Sequence, residues 1–127
     1  ANSASLAGHV QVHDHAIIGG MTGIHQFCRI GAHSFCGGFS GITRDVLPYV
    51  MLGGQPPEPH GINVEGLKRR GFTPDQLRNL TEAYRILFRA GLRLAEARDE
   101  LAKLSTSQPE LGLIVDFLDR SERSIHR

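Results

Sequence analysis

A parallel β-helix of hexapeptide repeats followed by a small helical bundle is the fold class predicted for this 127-residue chain. Three observations predict it. An apolar residue recurs every six positions over residues 6–47, charge is sparse in the first half and dense in the second, and a Gly- and Pro-rich stretch divides them. At this length the chain suits one domain, or one domain with a small appendage.

Aligned in sixes, residues 6–47 read LAGHVQ, VHDHAI, IGGMTG, IHQFCR, IGAHSF, CGGFSG and ITRDVL. The leading residues are Leu6, Val12, Ile18, Ile24, Ile30, Cys36 and Ile42, all apolar and small to medium. Four positions on come Val10, Ala16, Thr22, Cys28, Ser34, Ser40 and Val46, all small or β-branched. A strand repeats every two residues and a helix every 3.6, so neither explains a strict period of six. A hexapeptide β-helix does: each hexad forms one short strand, and three strands make a triangular coil. The leading aliphatic is expected inside the prism and the small residue near a tight corner. Cys28 and Cys36 fall in this register and read as packing residues. They form no metal-ligand spacing and no disulfide framework, which fits a reducing cytosol.

Seven hexads make about two and a third coils, whereas stacked repeats need roughly three units plus caps. Helices can cover the lower end, but Ala1–Ser5 reads as the tail of another hexad. An uncapped parallel edge would expose unpaired backbone groups. The chain is therefore expected to be the C-terminal portion of a longer protein.

Residues 1–59 hold five charged side chains (Asp14, Arg29, Arg44, Asp45 and Glu58), and residues 60–127 hold the other 22. Eleven of the 15 glycines fall before residue 62. The expected division is β-helix coils over 1–52, a linker loop over 53–62 and an α-helical domain over 63–127. A short helix is expected from Asn63 to Arg70, stopped by Gly71. Thr73-Pro74-Asp75-Gln76 then combines an N-cap, a first-turn proline and a capping-box glutamine. Leu77, Leu80, Tyr84, Leu87 and Phe88 follow at helical spacing until Gly91. Leu94, Ala97, Leu101 and Leu104 mark the next helix, and Leu111, Ile114, Val115 and Leu118 the last. These stripes read as core.

The net charge of +1 argues against bulk nucleic-acid binding, but 12 of the 14 basic residues are arginine. Individual anion sites therefore remain open, because the guanidinium fork matches phosphate oxygens. No apolar run reaches the length of a membrane span, and no signal peptide is visible.

The stretch ANSASLAGHVQVHDHAIIGGMTGIHQFCRIGAH, followed by GINVEGLKRRGF, closely resembles the UDP-N-acetylglucosamine O-acyltransferase family, which begins lipid A synthesis. The likeness runs over nearly all of the chain and loosens after about residue 90. The hexads alone indicate only the wider group of bacterial hexapeptide acyltransferases, whereas LAGHV, IHQF and NVEGLKRRGF are specific. General sheet chirality favours right-handed crossovers in about 98% of cases; the resemblance implies the left-handed exception. It also implies a bacterial, cytoplasmic homotrimer that uses acyl carrier protein thioester and UDP-N-acetylglucosamine and needs no cofactor. Its general-base histidine is expected upstream of Ala1, so the isolated chain is expected to be inactive or nearly so.

The resemblance assigns roles residue by residue. The Gly8 N–H is the oxyanion donor, and His9 assists or positions without acting as the base. His25 and Gln26 line the substrate cleft. Asn63, Glu65, Arg69 and Arg70 match the nucleotide-binding segment, where an amide and a carboxylate read uracil and ribose and guanidinium groups offset the diphosphate. Gly38 matches the acyl-chain ruler, where a larger residue shortens the accepted chain. His13, His15 and His33 read as exposed rung residues.

Three other functions compete. The sugar N-acyltransferase later in the same pathway is also a hexapeptide trimer, and NVEGLKRRGF argues against it. A γ-type carbonic anhydrase uses the same prism and needs three histidines on one metal between subunits; His9, His13, His15, His25 and His33 supply enough imidazoles, and metal analysis discriminates. A non-catalytic trimerisation module is the third. A trimer is expected in any case, because Ala7, Ile17, Phe27 and Phe35 would leave apolar surface on the prism's outer faces.

Overall fold

The computed structural model describes all 127 residues. Seven two-residue strands carry the coils: β1 (Ser5–Leu6), β2 (Gln11–Val12), β3 (Ile17–Ile18), β4 (Gly23–Ile24), β5 (Arg29–Ile30), β6 (Phe35–Cys36) and β7 (Gly41–Ile42). Ser5 lies over Gly23, Gln11 over Arg29, Ile17 over Phe35 and Gly23 over Gly41, all in parallel. One coil is thus three hexads, and three parallel ladders form the faces of a prism.

The hexad's sequence explains its shape. Ile24, Ile30, Cys36 and Ile42 point inward and are at most 3% exposed. Thr22, Cys28, Ser34 and Ser40 are also buried, where only small side chains fit beside the turn. The chain rounds each corner through a left-handed residue: Ser3, His9, His15, Met21, Phe27, His33 and Phe39 have φ of 59–66°. That conformation costs a non-glycine residue on the order of 1 kcal/mol. Ladder hydrogen bonds on either side hold it, such as Phe27 N–H to the Gly8 carbonyl and His33 N–H to the Asp14 carbonyl.

The period breaks inside the seventh hexad. Ile42 pairs with Ile24 in register, but Val46 pairs with Ile30 and Leu52 with Cys36, two residues early. Val46 therefore takes an inward, leading position instead of the corner position that a seventh repeat would assign it. In the shortened coil Asp45 pairs with Ile125 near the chain's end.

The stretch 53–62, expected as a linker loop, is largely a β-hairpin. Strand β8 (Val50–Gly53) extends the third face, and β9 (Glu58–Ile62) pairs antiparallel with it, Gly53 with Glu58 and Val50 with Ile62. Gly54 and Pro56 do mark a turn, but the free edge of β8 accepts the returning chain as a strand.

Helix α1 (Val64–Arg69) follows, capped by Asn63, and Gly71 leaves it at φ +84°. Helix α2 (Pro74–Phe88) has the expected capping box between Thr73 and Gln76. Helix α3 (Leu94–Ser105), a 3-10 turn (Pro109–Leu111) and helix α4 (Gly112–Arg120) complete the bundle. Their stripes meet in one core with Leu47, Tyr49 and Val50 from the base of the prism, while the prism keeps its own core around Ile30 and Cys36. No helix is long and apolar enough to cross a membrane.

Candidate active site

Side chains at the left-handed corners stack in columns, because coils repeat at the spacing of hydrogen-bonded strands, about 4.8 Å. At the first corner the His9 ring lies flat on Phe27, centroids 4.9 Å apart and planes within 2°. Gly8 sits above Gln26, whose neighbour Phe27 donates its N–H to the Gly8 carbonyl at 3.1 Å. The Gly8 N–H finds no acceptor in the chain, and a Cβ there would meet nothing within 4 Å. The arrangement therefore presents an open backbone donor beside an imidazole of fixed orientation, the parts that stabilise a developing oxyanion. His25 is next to Gln26 and opens onto the first face, in a shallow depression shared with Leu6, Thr43 and their neighbours.

A groove of about 740 Å³ runs from this corner down the second face. His9, Gln11 and His13 line its upper coil, Phe27 and Arg29 the next, and Asp45 its floor. Arg120, Glu122 and Arg123 close it from the chain's last segment. Arg123 Nη1 donates to the Gln26 carbonyl at 2.9 Å. Arg29 Nη1 donates to the Phe117 carbonyl at 3.0 Å, and its guanidinium sits 4.2 Å from that ring's centroid. Asp45, wholly buried, accepts the Arg29 N–H at 2.8 Å and the Ser121 hydroxyl. His126 is anchored nearby, its Nε2 accepting the N–H groups of Thr43 and Arg44 at 3.2 Å each.

The second corner carries His15, His33 and Tyr49, stacked at 5.0 and 5.7 Å. Phe72 meets His33 edge-on at 5.2 Å. Here a smaller pocket, about 280 Å³, is lined by His15, His33, Asn63, Arg69 and Arg70 among others. Asn63 is 4% exposed, and its side chain is already engaged. Its Nδ2 donates to the His33 carbonyl at 3.1 Å and its Oδ1 accepts the Gly66 N–H at 3.3 Å. One amide N–H remains, because the group has two. Arg69 and Arg70 are exposed, and Glu65 stands exposed in the first turn of α1, outside this pocket's lining.

Gly38 lies at the third corner, where a Cβ would approach the Gly20 carbonyl to 3.2 Å. The expected site residues are thus spread over three corners of the prism. Gly8, His9 and Gln26 come together, as do Asn63, Arg69 and Arg70, while Gly38 joins neither group.

Of the histidines expected as exposed rungs, only His15 is so; His13 and His33 are half-buried. His13 packs edge-on against Phe117 at 5.8 Å, because α4 folds back onto the second face. Burial lowers both pKa values, helped by Arg29 at His13 and by His15 and Arg70 at His33. No three of the chain's His, Cys, Asp and Glu side chains gather as a metal-binding group. Sequence reasoning missed Phe27, Arg29 and Asp45, together with Arg120 and Arg123. Writing the chain in rows of three hexads would have put Phe27 under His9; nothing local marks the two arginines.

An 18-residue coil with stacked αL corners and a C-terminal helical cap defines a hexapeptide-repeat protein of the left-handed β-helix class. Residues 45–126 match the family model described as Udp N-acetylglucosamine O-acyltransferase, Domain 2. The chain belongs to the UDP-N-acetylglucosamine O-acyltransferase family. It is 53% identical over its whole length to the acyl-[acyl-carrier-protein]--UDP-N-acetylglucosamine O-acyltransferase of Alkalilimnicola ehrlichii, of which it covers 49%. The crystal structure of UDP-N-acetylglucosamine O-acyltransferase from Moraxella catarrhalis superposes with a TM-score of 0.96 at 46% identity. That match covers 99% of this chain and 49% of the other. The Francisella novicida UDP-N-acetylglucosamine acyltransferase gives 0.97 at 41%, over 99% and 46%. The chain spans about half the length of the curated relatives it matches.

Proposed function

We propose that the protein moves a 3-hydroxyacyl group from acyl carrier protein thioester to the 3-hydroxyl of UDP-N-acetylglucosamine, opening lipid A biosynthesis. The relatives are named for transfer between these two substrates. The first corner carries the reading: an unpartnered Gly8 N–H, no side chain in front of it, and His9 held beside it on Phe27.

The sugar oxygen attacks the thioester carbon, a base takes its proton, and the C–S bond breaks to release the carrier's thiol. Gly8 donates to the oxyanion while His9 positions the reacting groups, and His25 and Gln26 line the cleft around them. Direct attack needs no serine or cysteine nucleophile. Asn63, Glu65, Arg69 and Arg70 hold the nucleotide, Asn63 chiefly by fixing α1 against the His33 carbonyl. Gly38 limits the acyl chain.

Gly8 stands on the first corner, Arg69 beside the second and Gly38 on the third, so one chain does not close this site. A homotrimer with clefts between subunits would bring unlike corners face to face. Phe27 at 52% exposure, Ile17 at 45% and Phe39 at 70% supply apolar contact surface, as does Ala7; Phe35 is half-buried. In this reading residues 1–52 supply the catalytic corner and 63–127 the nucleotide arginines, in a cytosol that keeps Cys28 and Cys36 reduced.

The test is an assay of the protein at its natural length with acyl carrier protein thioester and UDP-N-acetylglucosamine, scored for the 3-O-acyl product. Product at micromolar enzyme supports the reading, and none overturns it. Light scattering tests the assembly: three subunits are expected, and a stable monomer refutes the shared cleft.

A further inference from the structure

Corner peptides of the prism bond upward, to the carbonyl that precedes the corner one coil above. Phe27 N–H donates to Gly8, His33 to Asp14, Phe39 to Gly20 and Tyr49 to Ala32. By the same count the Asp45 N–H, next below Phe27, would go to the Gln26 carbonyl. The shortened coil breaks the rule at this corner, and the Asp45 N–H donates to the Ser124 carbonyl at 3.0 Å instead. The Gln26 carbonyl thus lacks its ladder donor, and Arg123 supplies one, its Nη1 donating at 2.9 Å. The chain's ion pairs engage Arg78, Arg85, Arg98 and Lys103 and leave this guanidinium to the carbonyl. Asp45 and Glu122, the carboxylates of the same groove, make no ion pair with it. The tail on either side of Arg123 is pinned, Ser121 by the Asp45 carboxylate and the His126 N–H by the Asp45 carbonyl.

We propose that Arg123 is a positioning residue for acyl transfer, fixing the Gly8 backbone and the His9 ring through the peptide group between Gln26 and Phe27. The inference rests on the acyl-transfer reading above. A trans peptide presents its C=O and N–H on opposite sides, so one bond to each clamps its plane. Here the cation holds the Gln26 carbonyl, and the Phe27 N–H holds the Gly8 carbonyl at 3.1 Å. A charge-assisted bond at the carbonyl also polarises the group and strengthens its N–H as a donor. Gly8 depends on that hold, because it has no side chain and nothing stands within 4 Å of where a Cβ would be. Its own N–H, the oxyanion donor, makes no bond that would orient it. The same Phe27 carries the His9 ring at 4.9 Å. Phe27 sits at φ +66°, a conformation that persists only where its surroundings hold it. Freeing the Gln26 carbonyl therefore lets the corner relax beneath both groups.

The experiment uses the protein at its natural length and compares Arg123→Ala with Arg123→Lys, which keeps a charged donor. Arg123 is exposed, so both variants should fold, and hydrogen exchange over residues 121–127 checks the tail. In Arg123→Ala, kcat should fall about tenfold, less than the roughly 10²–10³-fold that follows loss of an oxyanion donor. The KM for UDP-N-acetylglucosamine should stay within about twofold of wild type, the split expected when only transition-state stabilisation weakens. Exchange at the Phe27 amide should quicken. Arg123→Lys should restore most of kcat and the slow Phe27 exchange. An unchanged kcat in Arg123→Ala overturns the proposal, as does a loss that appears in KM alone. A kcat loss that Arg123→Lys does not recover, or that comes with faster exchange across the tail, also overturns it, because the residue then serves only the tail's fold. A wild type that transfers no acyl group fails the functional reading instead. The clamp is then judged by Phe27 exchange and by the His9 ring signals in NMR. Changes in Arg123→Ala that Arg123→Lys reverses support it, and no change overturns it.

Discussion

Replacing Asp45 with alanine should loosen the chain's last segment from the prism and remove one wall of the His9 groove. Three links hold that segment at this point: the Asp45 side chain to Ser121, the Asp45 N–H to the Ser124 carbonyl, and the His126 N–H to the Asp45 carbonyl. Alanine keeps the two backbone links and deletes the carboxylate. Its two hydrogen bonds, to the Arg29 N–H and the Ser121 hydroxyl, are each worth about 1.5–3 kcal/mol when one partner is charged. Relief from burying a carboxylate offsets part of this, and the orphaned Arg29 N–H adds to the loss. The net expectation is about 2–4 kcal/mol of destabilisation. Asp45→Asn should cost about 1 kcal/mol, because one oxygen still accepts from Arg29 and the Ser121 hydroxyl can turn to accept in its turn. Urea unfolding at fixed protein concentration reads the stability, and hydrogen exchange over residues 121–127 reads the tail. An Asp45→Ala protein within 0.5 kcal/mol of wild type, with tail exchange unchanged, would refute the role given to this carboxylate.

Three further outcomes are expected. Burial, with help from Arg44, holds the His126 pKa below its ordinary 6.5, and its Nε2 must stay unprotonated to accept from Thr43 and Arg44. The unfolded chain then binds the extra proton first, so this stability is complete above pH 6.5 and is lost as pH falls below it. His126→Gln should flatten the acid limb of a Tm-against-pH curve, and an unchanged limb would contradict the linkage. In the protein at its natural length, His9→Ala should lower kcat/KM for acyl transfer by about 10²-fold through lost positioning, with unfolding unaltered, since the ring is exposed; full activity would remove it from the site. Placed in the protein at its natural length, Arg69→Ala and Arg70→Ala should each raise the nucleotide-sugar KM about tenfold or more and shift stability by less than about 0.5 kcal/mol, and calorimetry showing unchanged affinity would exclude them.

What the sequence determined by itself was whatever repeats or caps locally. A period of six specified the coil, because each hexad makes the same strand and corner whatever lies beyond it, and so Ile24, Ile30, Cys36 and Ile42 were legible as interior. Thr73 and Gln76 announced the start of α2 because a capping box is closed within four residues. Gln26 falls beneath Gly8 for the same reason, one coil being a fixed number of residues. Only the tertiary structure decided the rest. The coil that loses two residues at Val46, and the hairpin where a linker was expected, depend on edges that another segment supplies. Half-burial of His13 and His33 depends on α4 and Phe72 packing against them. The gathering of Arg29, Arg120 and Arg123 spans about ninety residues of chain. No periodicity carries such information, because the contacts that bring those charges together are long-range and are made by the folded core rather than by their own neighbours in sequence.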